Sequence, residues 1–259
     1  MKSTLFVSRA HQSMSIHVTD DDGVRVVEIR NPSRMNALTK PMLADLARAF
    51  DERPRETSCV VLVGDDASMS FCAGIDLRAV EDVFATDEGE IESDPVRAME
   101  ACDVPIVGAA HGACVNAGFE ILLACDVVVA AQNATFVDTH AKIGILPSWG
   151  LSVKLSRAIG SNAARACSVF GEAIDATRAR ALGLVAGTPR ASASEAREDA
   201  MALARRVKRL PGAKGIKRAI NDGLDVADVR AEERRRAFAN YREAARENFA
   251  AFNRARSKL

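Results

Sequence analysis

Ser70-Phe71-Cys72-Ala73-Gly74-Ile75-Asp76-Leu77 and His111-Gly112-Ala113-Cys114-Val115-Asn116-Ala117-Gly118-Phe119-Glu120 are the two stretches whose reading decides the fold. In the first, a strand-like end meets a glycine and then an aspartate able to cap the segment that follows. In the second, a strand passes through small residues into a helix start, where first-turn N–H groups have no intrahelical acceptor. Backbone N–H groups at such turns point outward and can donate to an anion. If the two turns face each other, two donors converge on one oxygen. That geometry stabilises an enolate or a tetrahedral oxyanion by roughly 3 to 4 kcal/mol per donor.

Around these turns the chain alternates. Ile16-His17-Val18 and Val24-Arg25-Val26-Val27-Glu28-Ile29 flank the turn-forming Asp20-Asp21-Asp22-Gly23 and read as a hairpin. Thr39 caps a helical pattern carried by Met42, Leu43, Leu46 and Phe50, and Cys59-Val60-Val61-Leu62-Val63 is a fully apolar strand. Residues 105–110 and 126–131 read as further buried strands with a helix over 118–124 between them, a pattern of parallel strands in an α/β layer. Glu81 to Ser93 is acidic and poor in apolar residues, which predicts a mobile loop, and Asp94 before Pro95 predicts a helix start. Beyond Trp149, residues 151–159, 161–170, 175–182, 192–208, 213–223 and 226–257 carry helical periodicity. We therefore expect an α/β body at residues 14–200, a helical carboxy-terminal region at 201–259, and an unstructured extension over residues 1–13.

Composition narrows the function. The 259 residues carry 35 Lys plus Arg against 35 Asp plus Glu, so there is no net charge to attract nucleic acid or an anionic membrane. No apolar run approaches the roughly 20 residues of a membrane span. The six cysteines are scattered without C-x-x-C spacing and read as free thiols of a reducing cytoplasm. The four histidines, His11, His17, His111 and His140, have no metal-ligand spacing, so metal-free chemistry is expected.

The two turns, in this order and at this separation, resemble the crotonase superfamily, the enoyl-CoA hydratase/isomerase family, and the resemblance covers most of the chain. Asn31-Pro32-Ser33-Arg34-Met35-Asn36-Ala37-Leu38 looks like its early CoA-contacting segment and Phe71 to Leu77 like its F-x-A-G-x-D-L signature. Gly144-Ile145-Leu146-Pro147 looks like a characteristic turn of the family, and Phe252 to Arg256 like its terminal CoA-contacting helix.

The resemblance implies an α/β fold of ββα units wound in a spiral, with a helical carboxy-terminal region. It implies a homotrimer or dimer of trimers, an acyl-CoA thioester substrate, and no cofactor beyond the CoA carried by that substrate. By matching positions, the oxyanion donors are the N–H groups of Ile75 and Ala117. Arg34, Ala37, Ala73, Gly74, Asp76, Leu77, Gly118, Phe252 and Arg256 fall in substrate-binding segments, and Trp149 is a candidate for the acyl channel. Family hydratases use two glutamates. The first matches Glu120, and the second position, four residues after Phe136, holds His140. A neutral imidazole there can activate water with Glu120 as its proton-handling partner. The activity implied is hydration of an α,β-unsaturated acyl-CoA. Double-bond isomerisation, other enolate chemistry and a non-catalytic acyl-CoA binder are the alternatives.

Simpler roles stand beside these. Glu120 read alone is a buried glutamate bonded to nearby backbone, and His140 a residue packed on Asp138. Asp76 reads as a cap. Asp138, His140 and Ser148 lack the G-x-S-x-G elbow of a serine hydrolase. Arg234-Arg235-Arg236 reads as a solvated helix face, and Lys217 as a further candidate for CoA phosphates.

Overall fold

The computed structural model describes residues 15–78, 94–224 and 227–240, with Ala251 and Arg254. The expected extension at 1–13, the loop at 81–93, the helix beyond 240, Phe252 and Arg256 therefore lie outside the described residues.

β1 (Ser15–Asp21) and β2 (Val24–Arg30) form the predicted hairpin. Its two linking residues, Asp22 and Gly23, are both left-handed (φ 45° and 78°), the turn whose twist matches that of paired strands. β3 (Cys59–Gly64), β5 (Ile106–Ala110) and β7 (Val127–Ala130) then add in parallel, giving a five-stranded sheet in the order β1-β2-β3-β5-β7. These strands are almost continuously apolar because both faces are covered. Val27, Ile29, Val60, Leu62 and Ile106 face one side, with Leu43, Leu46 and Phe50 of α1 (Lys40–Asp51) in the same core. Val26, Val61, Val63, Val107 and Val129 face the other, against Ala200 and Ala204 of α8 (Ala193–Val207).

A smaller sheet runs β4 (Ser70–Cys72), β6 (Ala113–Val115), β8 (Thr135–Val137), with β9 (Ile174–Asp175) antiparallel at its edge. The chain visits the large sheet, then the small one, then a helix. β3 and β4 precede α2 (Pro95–Ala101), β5 and β6 lead to α3 (Ala117–Leu123), and β7 and β8 lead to α4 (His140–Ile143). This is the expected spiral of ββα units. The Asp94 carboxylate caps α2 by accepting from the Val96 and Arg97 N–H groups, as its place before Pro95 predicts.

Residues 31–37 clamp the first small-sheet strand. Asn36 donates to the Ser70 carbonyl at 2.9 Å and accepts from the Asn31 N–H at 2.9 Å, while Asn31 donates to the Ala37 carbonyl at 2.7 Å. The remaining helices are α5 (Leu151–Ile159), α6 (Ser161–Ser168), α7 (Ala176–Ala181), α9 (Ala213–Leu224) and α10 (Ala227–Asn240). Two expectations change. Residue 200 falls inside α8, which covers the large sheet, so the body does not end at 200. Lys217 is no phosphate ligand: its buried ammonium bonds Asp126 at 2.8 Å and the Val104 carbonyl at 2.9 Å, pinning α9 to the sheet edge. All six cysteines are free thiols.

Candidate active site

The three parallel strands of the small sheet each end in a turn that reaches one cavity. After β4, Gly74 is left-handed (φ 93°). Leu38 donates to the Gly74 carbonyl and accepts from the Asp76 N–H, both at 2.8 Å, in a parallel bridge centred on Ile75. In such a bridge the central residue's own N–H points away from the partner strand, so that of Ile75 is directed off Leu38. Asp76 folds back, accepting from the Arg78 N–H at 3.0 Å and its guanidinium at 2.7 Å. Those bonds, led by the guanidinium, hold its carboxyl below the usual range.

After β6, Asn116 takes a left-handed backbone (φ 45°, ψ −112°), a conformation costing on the order of 1–3 kcal/mol for a non-glycine residue. Thr139 locks it: the Asn116 amide accepts from the Thr139 N–H at 2.7 Å and donates to its hydroxyl at 2.8 Å. α3 then begins at Ala117, whose N–H precedes the intrahelical ladder. A Cβ placed on Gly74 would stand 3.1 Å from the Val115 carbonyl and 3.7 Å from the Ala117 nitrogen, so the two turns meet backbone to backbone. A Cβ on Gly118 would lie 2.3 Å from the Cys72 carbonyl oxygen, so only glycine lets α3 seat against β4.

After β8, the Asp138 carboxylate accepts from the His140 N–H at 2.9 Å and pairs with its Nδ1 at 2.6 Å. With Asp138 ionised, that contact places a proton on Nδ1 and leaves Nε2 for other work. His140 is 7% exposed and Asp138 3%. Burial opposes the imidazolium most strongly, yet the bond to Asp138 and the charges of Glu120, Asp138 and Glu233 outweigh it, so His140 is raised. Burial likewise pushes against the Asp138 carboxylate, but its bonds with His140 and the imidazole's charge bring it down.

Glu120 lies one helical turn along α3, 2% exposed, and accepts from the Trp149 N–H at 2.8 Å. Burial raises it to about 7; Glu233 and Asp138 add to the rise, while His140 and the Trp149 N–H oppose it. A carboxyl raised toward neutrality and an aspartate-held imidazole on one cavity wall are groups able to donate and accept protons there.

One cavity of about 560 Å³ collects these groups. Arg34, Ala37, Ala73, Ile75, Asp76, Leu77, Ala117, Glu120, His140 and Trp149 line its wall, while Gly74 and Gly118 stand behind it as spacers. Arg78, Asn116, Thr139 and Ser148 also line it. Of these, Arg78 had no signal beyond its place two residues after Asp76, and Asn116 none beyond its place in the second turn. Asp138 read as packing for His140 and is its hydrogen-bond partner. Arg234 is not a solvated face: it pairs with the buried Asp94. Among the described residues no cluster of His, Cys, Asp or Glu could hold a metal.

A family model described as Enoyl-CoA hydratase/isomerase matches residues 19–252. A protein of Arabidopsis thaliana named "Probable enoyl-CoA hydratase 1, peroxisomal" is 41% identical over 234 residues, covering 89% of this chain and 88% of its own length. Another from the same plant, "Probable enoyl-CoA hydratase 2, mitochondrial", is 31% identical over 80% of this chain and 70% of its own. Among solved structures, an enoyl-CoA hydratase/isomerase from Pseudoalteromonas atlantica T6c superposes with a TM-score of 0.82 at 27% identity, covering 93% of this chain and 97% of that one.

Proposed function

The chain belongs to the enoyl-CoA hydratase/isomerase family, the crotonase superfamily, and on that premise we propose that it adds water across the α,β double bond of an acyl-CoA thioester. The protein is an enzyme of hydratase-like type. The observation that carries the mechanism is the convergence of Glu120 and the Asp138-held His140 on one cavity with the two backbone turns. In this reading the thioester oxygen accepts from the Ile75 and Ala117 N–H groups.

In the form of the pair that carries its proton on Glu120 and leaves His140 neutral, His140 Nε2 takes a proton from water as the water oxygen bonds to the β-carbon. The double-bond electrons move toward the α-carbon and the carbonyl oxygen, forming an enolate held by the two donors. Protonated Glu120 then gives its proton to the α-carbon, and the enolate electrons form the new C–H bond. One water has been added. Proton return from His140 to Glu120 restores the pair. The CoA carried by the substrate is the only cofactor this needs.

Arg34 and Arg78 flank the same cavity and supply guanidinium groups for the phosphates of CoA. We also propose the homotrimer or dimer of trimers; exposed Met69 (81%) and Phe170 (80%) are apolar surface that such an assembly would cover, and sedimentation measures it directly.

Loss of thioester enal absorbance with crotonyl-CoA tests the reaction in the parent, Glu120→Gln and His140→Ala. Turnover by the parent and its collapse in both variants is the expected result. Binding without turnover rejects hydration of this substrate, and movement of a 3-enoyl double bond without water uptake identifies an isomerase.

A further inference from the structure

Glu233 sits on α10, outside every motif that pointed to the cavity, yet its side chain ends on the backbone that directly follows Trp149, a residue of the cavity wall. It accepts from the Gly150 N–H at 2.5 Å and the Ser152 N–H at 3.0 Å, and the Ser152 hydroxyl is a third donor. These are donors at the start of α5, whose own N-cap, Gly150, is left-handed (φ 93°) and has no side chain to offer them. A carboxylate from a distant helix does that work and complements the helix dipole. The N–H immediately before them, that of Trp149, bonds Glu120. The backbone from 149 to 152 is thus gripped by two carboxylates, one on each side.

α10 is fixed in this position by charge. Arg234 pairs with Asp94, Arg230 with Asp94 at 3.5 Å and Glu100 at 2.9 Å, and Lys154 of α5 with Glu100 at 2.7 Å. A Cβ on Gly150 would lie 3.5 Å from Arg230 Cδ, so the arginine stem rests on the turn itself. Arg230, Arg234 and Lys154 are therefore engaged by Asp94 and Glu100.

We propose that Glu233 is a positioning residue of the active site: it holds the turn that presents the Trp149 N–H to Glu120, and it brings a carboxylate to the residue next to the one that Glu120 bonds. The proposal rests on the acid/base roles given to that pair above. The charged groups acting on the pair are Asp138 at the end of β8, Glu233 on α10, and each on the other; Glu233 raises both members. Because the two titrate together, the limbs of a pH profile belong to the pair.

Removing the negative charge lowers the pair's proton affinity, so both limbs move to lower pH. In Glu233→Gln the kcat profile for crotonyl-CoA should slide acidward by about 1 to 2 pH units, the size of a like charge acting over roughly 6 to 12 Å at an effective dielectric near 20. Trp149, the single tryptophan of the chain, gives the same midpoint without substrate through its fluorescence. A hydratase reading that fails on crotonyl-CoA therefore leaves this test intact. Glu233→Asp, which keeps the charge, should return the midpoint toward the parent's. Ser152→Lys, at an exposed position beside Glu233, should shift it acidward by a smaller amount, and decides the matter if Glu233→Gln does not fold. Parent-like midpoints in whichever of Glu233→Gln and Ser152→Lys fold would overturn the proposal and leave Glu233 a helix cap only.

Discussion

β3, β5 and β7 of the large sheet are six, five and four residues long, whereas β4, β6 and β8, which follow each of them, are three apiece. The long strands are buried on both faces, and none of their residues lines the cavity that holds Glu120 and His140. The short ones each run straight into a turn that reaches the cavity: Gly74 and Ile75, Asn116 and Ala117, Asp138 and His140. Three successive windings of one spiral thus separate two tasks. Apolar area is invested in the first sheet, and strained or buried polar geometry is concentrated at the end of the second.

Glu120→Gln should show the largest effect and the cleanest separation, a loss of roughly 10²- to 10⁴-fold in kcat with crotonyl-CoA binding retained. The same variant should be more stable than the parent. The native state of the parent holds Glu120 at about 7 against an ordinary 4.5, so its protonated form is favoured at low pH and that advantage is lost as pH rises across this window. The stability gap, read from denaturant midpoints, should open above about 4.5 and level off beyond about 7.

Leu62→Ala is the counterpart in the large sheet. Its side chain is fully buried, and truncation should lower the unfolding free energy by about 2–5 kcal/mol while leaving kcat of the folded fraction unchanged. A comparable fall in kcat would mean that the sheets are not separable in function.

Asp138→Asn should cost on the order of ten- to a hundredfold in kcat, with a smaller effect on KM, because the imidazole loses the partner that fixes its tautomer. The smallest change is expected for Arg78→Ala, a few-fold rise in KM for CoA esters that shrinks at high salt, since water and salt screen an exposed guanidinium.

The same contrast explains what the sequence revealed. Cys59-Val60-Val61-Leu62-Val63 announces its strand because both faces demand apolar side chains, and the Asp22-Gly23 turn announces its hairpin. Strands of three residues carry no measurable period, so Ser70–Cys72 and Thr135–Val137 did not stand out as a second sheet. Glu120, His140, Ile75 and Ala117 were reachable through the motif resemblance, whose glycines are forced by close backbone contact at Gly118 and by the positive φ of Gly74. The Asn116–Thr139 lock and the Glu233 bonds to 150 and 152 were not, because they join residues 23 and more than 80 positions apart that no local pattern links.

Those separations also set an order of events. Asn116 reaches Thr139 across 23 positions and Glu120 reaches Trp149 across 29, but Glu233 reaches Gly150 across 83. Chains fold as they emerge, amino-terminal parts first, and longer closures cost more entropy. The two backbone turns at residues 75 and 117 can therefore meet while the helix that carries Glu233 is still unmade, so that during synthesis the cavity's inner wall takes shape before the last bonds that brace it.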